Sequence, residues 1–228
     1  MGLVMTQAFP FQIVGFDLDG TLLDTSGDLA AAMNHALNHV DRPSVPVDEV
    51  RHLVGRGAKV MLERGLERTG GMDDALLAVA LPALLTYYEA NICVETHAFD
   101  GMEAALDRLT ERGVTLAVVT NKYERFAVKL LNEIGLASRF ATIIGGDTMG
   151  PGKAKPDAAP IHEMIARCGG GRTAFVGDST ADTGAARNAG IPSIGVGFGF
   201  LNGTLADLQA DATIDHFDEL HDCLIRLG

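Results

Sequence analysis

The chain has 228 residues, of which 47% are hydrophobic and 21% are charged, a composition that indicates a substantial folded core and excludes a disordered chain. Its formal net charge of −12 argues against nucleic acid and anionic membranes as partners, because both attract basic surfaces. The three cysteines form no CxxC pair and the N-terminus lacks the basic start of a secretory signal, so we expect a cytoplasmic protein.

The first predicted element is a buried strand, residues 13–16, which stops at an acidic cluster. After it, residues 25–97 place apolar side chains at helical spacing and contain no convincing strand. Proline and glycine interrupt the helical pattern at several points. We therefore predict an all-helical unit inserted directly after the first strand.

Beyond the helical unit, apolar runs alternate with helical patterns. The predicted strands are 114–119, 140–144, 174–176, 191–196 and a weaker 212–214. The predicted helices are 102–112, 125–134, 161–167 and 181–189. Such alternation predicts βαβ units and a parallel sheet. The expected fold class is α/β, with a Rossmann-like parallel sheet core (1–24 and 98–228) and an inserted all-helical cap domain (25–97).

Two acidic residues follow the first predicted strand. Asp17 and Asp19 flank one apolar residue, so in an extended chain their side chains face the same way. Two like charges this close are costly unless a cation binds them, and hard cations such as Mg²⁺ prefer carboxylate oxygens. Ligands of open parallel sheets bind outside the carboxyl ends of the strands, where both acids fall. For Asp19-Gly20 alone, a solvated acidic turn is the alternative.

Further polar signals lie at the same predicted edge. Thr120 and Asn121 end strand 114–119, where a hydroxyl and free N–H groups can bind phosphate oxygens, although Thr-Asn is also an ordinary helix cap. Lys155 precedes a predicted helix and can neutralise phosphate, although most lysines are simply surface residues. Asp178 follows strand 174–176 and can complete a metal site, although an aspartate there can equally cap a helix.

Taken together and in order, four motifs resemble those of the haloacid dehalogenase superfamily over essentially the whole chain: Asp17-Leu18-Asp19-Gly20-Thr21, Thr120, Lys155 and Gly177-Asp178. The second acid, Asp19, is typical of the phosphatases of that superfamily rather than of its dehalogenases. Within it, the chain resembles the phosphoglycolate phosphatases in segments 16–25, 54–58, 119–122 and 145–147. Tyr123 and Ala158 depart from this pattern, since proline is usual at both positions.

The resemblance implies a two-step mechanism. Asp17 would be the nucleophile and form a transient aspartyl-phosphate, while Asp19 would protonate the leaving oxygen and then activate water. Mg²⁺ would bind Asp17, the backbone carbonyl of Asp19 and Asp178.

The resemblance also implies how the phosphate is held. Thr120, the Asn121 backbone and Lys155 would bind its oxygens, and Asp182 would orient Lys155 or a metal-bound water. The cap would close over the site and contact the leaving group. Arg56 lies between two predicted cap helices, with glycine on both sides. Its guanidinium group would suit a substrate carboxylate, and the alternative is an exposed arginine in a flexible turn.

The sequence therefore predicts a Mg²⁺-dependent phosphomonoesterase for a small phosphorylated metabolite. The first candidate reaction converts 2-phosphoglycolate to glycolate and phosphate. A phosphatase for a sugar phosphate or a nucleotide is the alternative, followed by a phosphomutase and a non-catalytic module that binds a phosphometabolite. No nucleic-acid or membrane partner is expected, and the choice between monomer and homodimer stays open.

Overall fold

A computed structural model describes residues 8–228, which form a six-stranded sheet, a two-stranded sheet and the helices that cover them. The strands are β1 (Ile13–Phe16), β2 (Leu23–Asp24), β3 (His97–Ala98), β4 (Thr115–Val119), β5 (Thr142–Ile144), β6 (Thr173–Gly177), β7 (Ser193–Val196) and β8 (Ala212–Ile214). The α-helices are α1 (Ser26–His39), α2 (Val47–Arg51), α3 (Ala58–Arg68), α4 (Asp74–Ala90), α5 (Met102–Glu111), α6 (Glu124–Glu133), α7 (Ala159–Arg167), α8 (Thr180–Asn188) and α9 (Leu220–Leu227).

The larger sheet has the order β5-β4-β1-β6-β7-β8, and each of its neighbouring pairs is parallel. All four residues of β1 are buried, as expected for a central strand in a sheet covered on both faces. The predicted α/β fold with a parallel sheet core and a helical cap is confirmed. Strand 140–144 is shorter than predicted, because at the edge of the sheet only residues 142–144 pair with β4.

The cap consists of helices α1–α4, which lie between β2 and β3 in the chain. Helix α4 buries Leu77, Ala80, Leu84 and Tyr88 on one face. The neighbouring Tyr87 is only half-buried, because a row of every fourth residue from Ala80 reaches Tyr88 instead. Within residues 8–228, the helices lack the combination of length and apolar character that crossing a membrane requires.

The two ends of the cap meet in the small antiparallel sheet. Leu23 pairs with Ala98, and Asp24 pairs with His97. Strands of two residues carry no periodic signal, so the sequence did not predict this pair. The exact domain boundaries, 24/25 and 97/98, stay a prediction.

Candidate active site

Three buried carboxylates meet where the central strands end. Asp17 directly follows β1, Asp178 follows β6, and Asp182 lies in the first turn of α8. One carboxylate oxygen of each lies within 4.8 Å of the others. We call these three residues the carboxylate cluster. It contains two of the predicted metal-binding side chains, whereas the Asp19 carboxylate lies outside it.

The cluster has the properties of a site for a hard divalent cation. Burial raises the pKa of Asp17 to about 7, with a further rise from Asp182 that Lys155 opposes. Burial also raises the pKa of Asp178 well above its usual range, and the charges of Asp182 and Asp17 add to this rise. Among residues 8–228, the buried Oδ1 atom of Asp17 accepts no hydrogen bond of good geometry and is contacted by the Lys155 ammonium, so it can still bind a metal. A bound Mg²⁺ would relieve the repulsion between these oxygens, so the residues fit the implied metal.

Lys155 is the cation beside the cluster. Its Nζ atom lies 2.9 Å from Asp17 Oδ1, in an ion pair whose angles do not make a hydrogen bond. The same Nζ donates hydrogen bonds of 2.6 Å to Asp182 Oδ1 and to the Val119 carbonyl. Burial alone would lower the pKa of Lys155, but Asp17 and Asp182 hold it above its ordinary value. Lys155 therefore stays charged next to the predicted nucleophile.

Asp182 holds Lys155 and caps helix α8 at the same time. Its Oδ2 accepts hydrogen bonds from the Ser179 backbone N–H at 2.9 Å and from the Ser179 hydroxyl at 2.6 Å. This reciprocal capping fixes the carboxylate, and its other oxygen contacts Lys155. The arrangement supports the prediction that Asp182 orients Lys155, which stays a prediction.

Asp178 is held by the loop that follows β1. Thr21 donates its hydroxyl to Asp178 Oδ1 at 3.2 Å, and the Phe200 backbone N–H donates to Oδ2 at 2.7 Å. Gly20 directly precedes Thr21 and has a φ of +83°, a backbone conformation that favours glycine. A Cβ atom at this position would lie 2.2 Å from Asp178 Oδ2. The Asp19-Gly20-Thr21 segment therefore lets a backbone turn pass directly beside a carboxylate.

Asp19 lies in an ion pair that the sequence did not reveal. The Nζ atom of Lys122 donates to both Asp19 carboxylate oxygens at 2.8 Å, and the Thr25 hydroxyl donates to Oδ1 at 2.7 Å. Both partners of the ion pair are buried. Burial would lower the pKa of Lys122, but the Asp19 carboxylate holds it above its ordinary value. The available signal was the position of Lys122, two residues beyond Thr120 at the same sheet edge.

Thr120 and Asn121 lie between the core and the cap. Thr120 is buried at the end of β4, and its hydroxyl oxygen accepts a hydrogen bond from the Lys122 backbone N–H at 3.2 Å. The Asn121 side-chain amide donates to the Gly55 carbonyl of the cap at 3.0 Å and to the Lys155 carbonyl of the core at 3.1 Å. The structure thus brings both residues to the edge that holds Asp17 and Lys155.

A cavity between cap and core opens onto the two catalytic candidates. It is lined by Asp17 and Asp19, by the three residues 120–122, and by mostly apolar or aromatic cap side chains that include Tyr88. Its volume is about 40 Å³. Arg56 is exposed and lines a neighbouring cavity, together with Asp178 and Ser179. Its predicted contact with substrate stays a prediction.

Comparisons with known proteins agree with this geometry. The sequence model of the haloacid dehalogenase-like hydrolase family matches residues 14–196. The chain is 42% identical over 214 residues to a phosphoglycolate phosphatase of Agrobacterium fabrum, covering 92% of this chain and 91% of that one. It is 39% identical over 217 residues to a phosphoglycolate phosphatase of Caulobacter vibrioides, covering 94% and 91%.

Solved structures share the same fold at lower sequence identity. A crystal structure described as a predicted phosphoglycolate phosphatase from Haemophilus somnus superposes with a TM-score of 0.86 at 28% identity, covering 93% of this chain and 97% of that one. A phosphatase fold, two acids after the first strand and a matching family model all point the same way. The chain therefore belongs to the haloacid dehalogenase-like hydrolase family and is a phosphoric monoester hydrolase that resembles the phosphoglycolate phosphatases.

Proposed function

We propose that this chain is a Mg²⁺-dependent phosphatase that hydrolyses 2-phosphoglycolate to glycolate and phosphate through an aspartyl-phosphate on Asp17. The observation that carries the proposal is the buried Asp17 Oδ1, which lacks a hydrogen-bond partner in residues 8–228 and faces the charged Lys155. An oxygen in this position is available to a metal or to a phosphorus atom. The names of the similar phosphatases support the choice of substrate.

Asp17, Asp178 and the Asp19 backbone carbonyl would hold the metal. When bound, Mg²⁺ supplies positive charge that offsets the repulsion between the Asp17 carboxylate and the anionic phosphate. Lys155 supplies a second positive charge beside Asp17. The chain as a whole carries a net charge of −12, which would repel an anionic substrate. The two local positive charges outweigh this repulsion, because distant surface charges are screened over roughly 10 Å.

In the first step, an Asp17 oxygen bonds to phosphorus while the bond from phosphorus to the leaving oxygen breaks. Asp19 acts as the general acid and gives a proton to that oxygen, because an alkoxide leaves poorly without one. In the second step, Asp19 takes a proton from water, and the water oxygen bonds to phosphorus as the bond to Asp17 breaks. Thr120, the Asn121 backbone and Lys155 hold the remaining phosphate oxygens.

The size of the cavity supports a small leaving group. A site for one water molecule needs roughly 10–15 Å³, so about 40 Å³ has room for a few such groups. This small volume favours a two-carbon leaving group over a sugar or a nucleoside.

The test is a panel of phosphate esters compared by kcat/KM, with Mg²⁺ and after exhaustive EDTA treatment. The panel contains 2-phosphoglycolate, ethyl phosphate, a hexose phosphate and a nucleoside monophosphate. We expect 2-phosphoglycolate to be preferred, EDTA to abolish turnover and Ca²⁺ to inhibit, because Ca²⁺ takes more oxygen ligands and would occupy Asp17. Preference for the sugar phosphate or nucleotide would replace the substrate assignment, and full activity in EDTA would contradict the metal assignment.

The covalent step is tested separately with Asp17→Asn. An amide is a poor nucleophile towards phosphorus, so kcat should fall by at least about 10³-fold. The matched control is Asp48→Asn on an exposed cap position, which should leave kcat unchanged. Activity of Asp17→Asn within tenfold of wild type would remove Asp17 as the nucleophile and would leave a non-covalent route.

A further inference from the structure

Lys122 is positioned to do more than hold Asp19. Its side chain is 5% exposed, and its ammonium group has three N–H donors, of which the two Asp19 oxygens take at most two. Of the described residues that line the cavity next to Asp17, Lys122 is the one that carries a positive charge. An anionic leaving group in that cavity therefore meets the Lys122 charge first.

Tyr88 covers Lys122 from the cap side. The Lys122 Nζ atom lies 4.8 Å from the centre of the Tyr88 ring. The Tyr88 hydroxyl is buried and has no hydrogen-bond partner among residues 8–228. A buried hydroxyl without a partner lowers stability, so its position calls for a reason.

The Tyr88 hydroxyl can donate a hydrogen bond at neutral pH. Burial raises the pKa of Tyr88 to about 12, while the nearby Lys122 ammonium opposes the rise. The hydroxyl therefore keeps its proton at neutral pH. Tyr88 from the cap and Lys122 from the core line the same cavity, so a hydroxyl and an ammonium there form a pair of donors that suits a carboxylate.

We propose that Lys122 and Tyr88 bind the carboxylate of the leaving group and thereby select 2-phosphoglycolate over uncharged phosphate esters. This inference rests on the function proposed above and names the residues that would recognise the substrate carboxylate. Lys122 keeps Asp19 on one side and donates its remaining N–H to the substrate carboxylate. Tyr88 donates its O–H to the same carboxylate from the cap side of the cavity.

The chain length of the leaving group follows from this arrangement. Asp19 must contact the leaving oxygen, and Lys122 contacts Asp19 directly. The carboxylate of 2-phosphoglycolate is separated from the leaving oxygen by a single CH₂ group. The substrate can therefore contact Asp19 and Lys122 together, whereas a longer chain would carry its carboxylate past Lys122.

The experiment measures selectivity, defined as kcat/KM for 2-phosphoglycolate divided by kcat/KM for ethyl phosphate. The two substrates differ by the carboxylate alone, so any effect that a variant has on Asp19 acts on both. Tyr88→Phe should lower the selectivity by roughly tenfold or more, which is the value of one hydrogen bond to a charged group. Lys122→Met should lower it further.

Thermal unfolding separates this role from a structural one. Tyr88→Phe removes a hydroxyl that has no partner, so the unfolding temperature should stay the same or rise, whereas a structural tyrosine would lower it. The matched control is Tyr87→Phe, the neighbouring residue on α4, which stacks on His35 away from the site. Tyr87→Phe should leave the selectivity unchanged.

The outcomes distinguish this inference from the proposed function. A wild-type selectivity near one overturns both. A large wild-type selectivity that survives Tyr88→Phe and Lys122→Met leaves the function standing and overturns the inference. A loss of selectivity in Arg56→Ala, without any in Tyr88→Phe, assigns the carboxylate to Arg56 and also overturns it.

Discussion

Replacing Asp17 with asparagine removes one charge from the buried carboxylate cluster, and the structure gives the size of the effect on stability. Burial, the charge of Asp182 and the opposing Lys155 together raise the pKa of Asp17 from an ordinary value of 3.8 to about 7. A rise of about three pH units corresponds to roughly 4 kcal/mol, at about 1.4 kcal/mol for each. Metal-free Asp17→Asn should therefore be more stable than metal-free wild type at pH 8 by up to roughly 4 kcal/mol.

The pH dependence follows from where Asp17 ionises. The unfolded chain loses the Asp17 proton near pH 3.8, and the folded chain loses it near pH 7. Between these values the folded state binds the extra proton, so wild-type stability falls as pH rises through this window and the Asp17 contribution levels off above pH 7. Asparagine does not titrate. The advantage of the variant should grow from roughly 2 kcal/mol at pH 5 to roughly 4 kcal/mol at pH 8.

The assay is urea unfolding at 25 °C in EDTA across this pH range, with Asp48→Asn as the control for an exposed aspartate. In thermal unfolding, roughly 4 kcal/mol corresponds to about 8–16 °C for a chain of this length. Added Mg²⁺ should narrow the difference, because it binds the folded wild type more tightly than the variant. A difference that is equal at pH 5 and pH 8, or a less stable variant at pH 8 in EDTA, would refute the reasoning.

Three further predictions concern single residues near the site. Asp19→Asn should slow dephosphorylation more than phosphorylation, so a rapid acid quench should trap labelled phosphate on the protein; absence of label under every quench condition would contradict the covalent route. If Arg56 binds the substrate carboxylate, Arg56→Ala should lower kcat/KM for 2-phosphoglycolate by roughly 10–100-fold and barely change that for an aryl phosphate. No change on either substrate would show that Arg56 is an exposed residue without a role in binding. Gly20→Ala should cost more than the roughly 1–2 kcal/mol of a left-handed backbone, because its Cβ would also meet Asp178. Gly113→Ala is the control, since that position has a φ of +76° and open space around a Cβ, and equal losses in urea unfolding would mean that the contact with Asp178 does not matter.

The sequence was most informative where local pattern and strand position coincide. Apolar runs predict the strands because a central parallel strand is buried on both faces, and β1 is such a strand. Asp17 and Asp178 were then found as acids that follow strands, and the carboxyl ends of parallel strands share one edge. No long-range contact had to be known for either residue.

The contacts that the sequence could not give are those between distant segments. Asp19 and Lys122 are 103 residues apart, and no sequence pattern indicates which acid a lysine after a strand will contact. Tyr87 and Tyr88 are chemically identical neighbours, so only the packing of α4 decides which one lies over Lys122. The contact between Arg56 and substrate stays a prediction, because the flanking glycines allow close approach to a ligand and equally allow an exposed turn.

The small antiparallel sheet has a mechanical consequence. Both chain crossings between core and cap pass through β2 and β3, which lie side by side, so the cap is attached along a single line about which it can swing. Asp19 forms an isolated bridge with Leu23 of β2, which fixes the acid close to that axis, where a swing displaces atoms least. Residues far from the axis travel furthest. Helix α3 spans 11 residues, roughly 16 Å, from the active-site side of the cap to Gly70 and Gly71. Changes at these two glycines would alter the outer cap far from Asp19, and they would act on the hydrogen bonds that Arg42 donates to the Thr69 and Gly71 carbonyls.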